Sequence, residues 1–408
     1  MTTPSCNIVL ICFASAPTSW FDPTELHEPQ DEVLLALARE GLRFTHAFTN
    51  SPGPIEALVS LFCGLAPAAH GATSESPQWP RHVPDAVNAL GSLGYNTVAI
   101  CPDRAVAELV RGGTRFDWFL TSRWRLASFV ERAWSLGRQV AGRWLDRGEA
   151  LGQRTNLAFF RWLDGHSSAR PFFAWLYYPA PVAERHRGRA SGSETAASLA
   201  AKHLSGVVRA LEQRGLWERT ALVVTALRGA ARTQQNADSL AENVVRVPLL
   251  FRLPPPAPAG FIVEEFCQLS DVFPTLLHFA GCPEPSGASG FGRVLIRENL
   301  VTPGPRAVVV EEYRGRALAQ GASCSGYRRR LLRTNRFRFV WRSDEANELY
   351  DLMVEPVGQR DLALERPELA AAMRVHLFEW LAFHHGSREG AMTPGMQQIQ
   401  QSALRVVL

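Results

Sequence analysis

Short apolar runs alternate along this chain with helix-prone stretches that stop at glycine, and that alternation restricts the fold more than any other feature. Ile8–Phe13 is a continuous apolar run (IVLICF), as expected of a strand buried on both faces. Asp31–Glu40 carries apolar residues at helical spacing and ends at Gly41. Leu42–Phe48 alternates and reads as one strand. Pro84–Leu93 reads as a helix stopped by Gly94, with the proline in its first turn, where a missing N–H costs nothing. Thr97–Cys101 is again a strand. The order returns downstream: strand Pro171–Tyr178, helix Glu194–Arg214 closed by Gly215, strands Thr220–Ala226 and Val247–Leu253, and helix Ser270–Ala280 before Gly281. Strands alternating with helices predict an α/β fold with a mixed, mainly parallel central sheet flanked by helices.

Two regions break the pattern. Thr121–Arg161 is helix-prone and arginine-rich and carries Trp124, Trp134 and Trp144, with Trp162 next to it. Such tryptophans pack into the parent domain or mark an interface with a protein partner or a second copy of the chain, and the three are kept as interface candidates. After Pro305 the segments Arg306–Glu312, Tyr327–Arg333, Arg336–Trp341 and Glu348–Leu352 read as short strands in hairpin order. A helix of about 18 residues follows from near Arg366. The expected division is a 1–304 α/β domain, a 305–385 α+β subdomain and a polar 386–408 tail.

Composition narrows the function classes. The net charge is +4, and Lys202 is the only lysine. The arginines are scattered, with small clumps at Arg328–Arg330 and Arg185–Arg189, which argues against a nucleic-acid surface. Seven cysteines, with no CxxC spacing, argue against a disulfide framework or a structural zinc site and fit a reducing compartment. The six-residue apolar run near the N-terminus is too short for a signal-peptide core, and no run approaches the roughly 18 apolar residues of a membrane span, so a cytoplasmic location is expected.

Several stretches, in order, together resemble the sulfatase family of the alkaline phosphatase superfamily. They are Asn7-Ile-Val-Leu-Ile11, Glu40-Gly-Leu-Arg-Phe-Thr-His-Ala-Phe48, Glu242–Pro254 (ENVVRVPLLFRLP), Ser270–Gly281 (SDVFPTLLHFAG) and Glu348–Asp361 (ELYDLMVEPVGQRD). The resemblance implies that superfamily's α/β fold. It also implies a chemistry that needs a divalent cation on oxygen ligands, a cysteine-derived formylglycine nucleophile, and cationic residues around the sulfate. At the positions that would supply these parts the sequence departs from the family. Ala14 and Ser15 stand where the first metal aspartates follow the first strand. Pro54 stands at the nucleophile and Leu58 at the motif's arginine. Leu227 and Arg228 stand at the second ligand pair, with Gly229 retained for the turn. Ala180-Pro181-Val182 and Pro102-Asp103-Arg104 occupy two further positions.

The expectation is a catalytically inactive relative with no metal, no cofactor and no catalytic residue, acting as a binding, scaffold or regulatory subunit. Two alternatives stay open. One is a sulfuric or phosphoric ester hydrolase or transferase with a rebuilt, metal-independent site. The other is a small-anion sensor in the old pocket, for which Ser15, Glu56 and Arg228 are the binding candidates. Glu56, Asp103, His166 and His186 could form a new acid–base set, although their spacing does not bring them together. His70 reads as a turn residue. Adjacent His384 and His385 cannot share a helix face and make no metal site.

Overall fold

In this computed structural model the described residues are 6–24, 32–74, 76–80, 83, 85–121, 147–166, 169–179, 196–230, 238–282, 291–305, 307–314, 327–343, 346–354 and 360–388. Along the chain the first elements are β1 (Asn7–Phe13), α1 (Glu32–Glu40), β2 (Leu42–Phe44), β3 (Ala47–Phe48), α2 (Pro54–Cys63), α3 (Pro67–His70), α4 (Ala86–Ser92), β4 (Asn96–Ile100), α5 (Arg104–Gly113) and β5 (Trp118–Leu120). They are followed by α6 (Arg147–Gly165), β6 (Phe172–Tyr178), α7 (Ala196–Glu212), β7 (Thr220–Ala226), α8 (Glu242–Val245), β8 (Leu249–Arg252), β9 (Phe261–Val263), β10 (Cys267–Gln268) and α9 (Val272–Phe279). The last are β11 (Ile296–Arg297), β12 (Leu300–Val301), β13 (Ala307–Arg314), β14 (Tyr327–Thr334), β15 (Phe337–Arg342), β16 (Glu348–Asp351) and α10 (Pro367–Arg388).

Eight strands form the central sheet in the order β5-β4-β6-β1-β7-β8-β2-β9. Its pairings are parallel except those of β8, which runs antiparallel to both β7 and β2. Every residue of β1 is buried, because its side chains alternate between two cores. Ile8, Leu10 and Cys12 join the core beneath α2, α4 and α9; Val9, Ile11 and Phe13 join the core under α1, α6 and α7. A continuous apolar run is what a parallel strand with helices on both faces requires.

Three sequence expectations need correction. Leu42–Phe48 is not one strand: the chain turns at Thr45-His46, where the Thr45 amide donates to Val263 O at 2.9 Å. β2 therefore stays in the central sheet while β3 pairs with β10 elsewhere. The helix expected from Pro84 begins at Ala86, with Asp85 as its cap. That carboxylate accepts the Val87 and Asn88 amides at 3.0 Å each, and Pro84 lies outside the described residues. The strand expected over Val247–Leu253 spans only four residues and is the antiparallel member.

The C-terminal strands form an antiparallel sheet, β13-β14-β15-β16, in the expected hairpin order. One face packs Val309, Leu332, Phe339 and Leu349 against α10, with Ala68 of α3 in the same core. The other packs Val308, Val310, Leu331 and Val340 against Phe48, Leu240, Val245 and Phe266 of the main unit. Ionic contacts reinforce the second face. Arg329 meets Asp238 and Glu312 (2.6 Å each), Arg338 meets Asp238 (2.5 Å), and Arg333 meets Glu242 (3.1 Å). No helix among the described residues is long and apolar enough to cross a membrane.

Candidate functional site

In doubly wound sheets, function gathers where the parallel strands end at their carboxyl side. The ends of β1 and β7 are stitched together here. The Leu227 amide donates to Phe13 O (2.9 Å), the Ala14 amide to Tyr178 O (2.9 Å), and the Ala16 amide to Arg228 O (3.1 Å). The Ser15 hydroxyl donates to Gly229 O at 3.0 Å, so its one proton is spent on the neighbouring turn. Leu227 is buried, and Arg228 is exposed.

Gly229 is not kept for a turn that needs glycine, since its φ lies outside the left-handed range. Close approach explains it. Its amide donates to Val244 O at 2.8 Å, and an added Cβ would stand 2.2 Å from Asn243 O and 2.4 Å from Arg246 O. Any side chain would drive α8 away.

Tyr177 is the residue at these strand ends that the sequence reading missed. It is 3% exposed, and burial pushes its phenol pKa up. Cys12, Cys101 and Asp103 push the same way, and Arg228 opposes them. Side chains from the ends of β1, β4 and β7 thus act on one hydroxyl of β6. Both thiols are also pushed up by burial, so neither is a ready nucleophile. Tyr177 escaped notice because it is the sixth residue of a seven-residue aromatic-rich run that reads as plain core. Asp103 caps α5, accepting the Val106 amide at 3.1 Å.

The N-terminus of α2 carries Pro54 as its first residue, exposed, after Gly53 at the cap. Leu58 is fully buried in the core under the sheet. Glu56 is also fully buried and turns toward the C-terminal sheet: its Oε1 accepts the Ser74 amide at 2.6 Å. Burial raises its pKa, and the charge of Glu311 adds to the effect. Further along, the Ala72 amide donates to His70 Nδ1 at 3.0 Å, which leaves Nε2–H to donate to Ser60 Oγ at 3.1 Å. His70 is therefore a clamp between α2 and the turn after α3.

The proposed acid–base set does not assemble. His166 stacks on Trp162 at 4.6 Å, and near Phe172, at the amino end of β6. Glu56 lies by Ser74 and feels the charge of Glu311, while Asp103 is held at the cap of α5. His186, Ala180–Val182 and the interface candidates Trp124, Trp134 and Trp144 lie outside the described residues. Trp162 is packed in the core under α1, α6 and α7. His384 stacks on Trp380 at 3.8 Å. No group of three or more His, Cys, Asp or Glu side chains is placed to hold a metal ion among the described residues.

Comparison with known proteins agrees with this architecture. Human arylsulfatase K is 26% identical over 182 residues, a match covering 42% of this chain and 32% of that protein. The bovine arylsulfatase K match is 27% identical over 186 residues, with the same coverage. The matched stretch thus spans about a third of the length of these curated relatives. Among solved structures, the phosphonate monoester hydrolase of Agrobacterium radiobacter superposes with a TM-score of 0.72 at 18% identity, covering 93% of this chain and 96% of that one. A 2-O GAG sulfatase superposes with a TM-score of 0.72 at 16% identity, covering 96% of each chain. Both likenesses establish the fold. Residues 7–282, more than half of the chain, match the Sulfatase family model, and the chain belongs to the sulfatase family.

Proposed function

We propose that this chain is a sulfatase-family protein that has kept the fold and given up hydrolysis, and that it acts by binding. The observation that carries this reading is Pro54 at the first position of α2, exposed where the family's nucleophile is expected. Proline has neither a nucleophilic side chain nor an amide proton to offer an oxyanion. The strand ends support it. Ala14 and Leu227 carry no donor atom, the Ser15 hydroxyl is committed to Gly229, and Arg228 adds a positive charge. These residues do not fit a divalent cation, whose dehydration needs several carboxylate or carbonyl oxygens. The raised pKa values of Cys12, Cys101 and Tyr177 work against a substitute nucleophile in the same place.

A protein partner or a second copy of the chain is the proposed binding target, and the thiols that the described residues leave free suit a reducing compartment. The test is turnover of aryl sulfate, phosphate and phosphonate esters by the purified chain, with elemental analysis of the same sample. Background rates and no stoichiometric calcium, magnesium or zinc are expected. Turnover that co-purifies with the chain and collapses in Tyr177→Phe or Arg228→Ala would overturn the proposal in favour of a rebuilt site.

A further inference from the structure

Glu56 is fully buried, yet half of its carboxylate has no partner. Oε1 takes the Ser74 amide at 2.6 Å, and Oε2 has no hydrogen bond. The orphan oxygen is wedged at the cap of α2: a Cβ added at Gly53 would stand 2.2 Å from it and 3.3 Å from Ser51 Oγ. An ionised oxygen left there without a donor is among the costlier arrangements a core can hold.

The surroundings sharpen the problem. Among the described residues, Glu56 is the only titratable side chain of α2 besides the buried thiol of Cys63. From β13, Glu311 faces it, itself fully buried and held by the Ala68 amide (2.8 Å), the Tyr313 hydroxyl (2.7 Å) and Arg330 of β14 (3.0 Å). Arg330 is thus engaged with Glu311, and no ion pair reaches Glu56 among the described residues. Glu75, next to Ser74, lies outside the described residues. Ser74 is gripped from two sides, its amide by Glu56 and its hydroxyl by the carbonyl of Tyr313. The turn around Ser74 therefore bridges α2 and the C-terminal sheet.

We propose that Glu56 is a proton-operated latch on this bridge. With the proton on Oε2, the site holds one carboxylate, Glu311, and Ser74 stays clamped between α2 and β13. When that proton leaves to solvent, two carboxylates oppose each other in a site with one arginine, and the turn around Ser74 loosens from α2. Burial and Glu311 raise the Glu56 pKa and so favour the neutral acid, outweighing the lowering from its own amide and from the Ser74 amide and side chain. For an acid raised in the folded state, stability is greatest at low pH. It falls as pH climbs from the ordinary value of 4.5 through the folded value. The latch does not depend on whether the chain hydrolyses anything.

The experiment is hydrogen exchange of the full chain between about pH 5 and about pH 8, corrected for intrinsic rates, read at residues 71–76 and along β13. In the wild type, protection at Ser74 should fall several-fold as pH rises across this range. In Glu56→Gln the amide supplies a neutral donor at the orphan position. Its protection should stay flat, and it should melt above the wild type at the higher pH only. Flat protection in the wild type would refute the latch even if the variant failed to fold. A Gln variant with the wild type's pH dependence would refute it as well.

Discussion

Replacing Asp238 with Asn keeps the shape of the side chain and removes the charge that ties the C-terminal sheet to the main unit. The wild-type carboxylate accepts from Arg329 at 2.6 Å and from Arg338 at 2.5 Å. Arg329 retains Glu312 at 2.6 Å, but Arg338, 7% exposed, is left with the face of Tyr350 at 4.9 Å. Breaking a buried pair from one side costs about 3–5 kcal/mol, and losing one charge-assisted hydrogen bond about 1.5–3 kcal/mol. Asp238 is 34% exposed and Asn still offers one acceptor, so the lower range applies. The expected loss is about 2 kcal/mol, read by urea unfolding followed through tryptophan fluorescence. Burial opposes ionisation of Asp238, but Arg338 and Arg329 outweigh it and hold its pKa below the ordinary 3.8. Its stabilisation is therefore full above that value and lost as pH falls through the depressed one. A loss below about 0.5 kcal/mol would refute the view that this ionic seam holds the sheet, as would a loss that does not shrink as acid protonates Asp238.

Two other substitutions test local packing. Gly229→Ala should destabilise by about 2–3 kcal/mol in the same assay, because its methyl group meets backbone carbonyls that cannot rotate away. A neutral result would mean that α8 shifts freely. Asp85→Ala removes the α4 cap and the partner of the Thr114 hydroxyl at 2.7 Å, so thermal unfolding should register a loss of about 1–2 kcal/mol. Asp85→Asn should recover most of it if capping is the cause.

Much of the fold was legible because parallel strands covered on both faces must be nearly all apolar: IVLICF and FFAWLYY are, and TALVVTA departs only at Thr220 and Thr225, whose hydroxyls donate to the carbonyls of Leu216 and Pro248. The helix ends were legible at Gly215 and Gly281, whose φ values of 63° and 73° favour glycine. Leu42–Phe48 misled because its alternation is accidental. Leu42, Phe44, Ala47 and Phe48 are all buried, on two different sheets, and the break shows only in the pairing, β2 with β8 and β9 but β3 with β10. The candidate site was legible by what stands at family positions and illegible by contact. Nothing near Glu56 in sequence announces Glu311, and nothing near Tyr177 announces Asp103.

The placement of β1 at the centre of the sheet has a consequence for how the chain is made. Its neighbours arrive late: the Asn7 side chain meets Phe172 across 165 positions and Thr220 across 213. At about 5–20 residues per second, a ribosome leaves this seven-residue apolar strand unpaired for roughly 10–40 s. No local hairpin can shelter it, because parallel pairing needs the distant strands themselves. The sheet cannot close around β1 before β6 and β7 emerge, and until then this apolar stretch is open to any chain, chaperone or nascent neighbour that reaches it first.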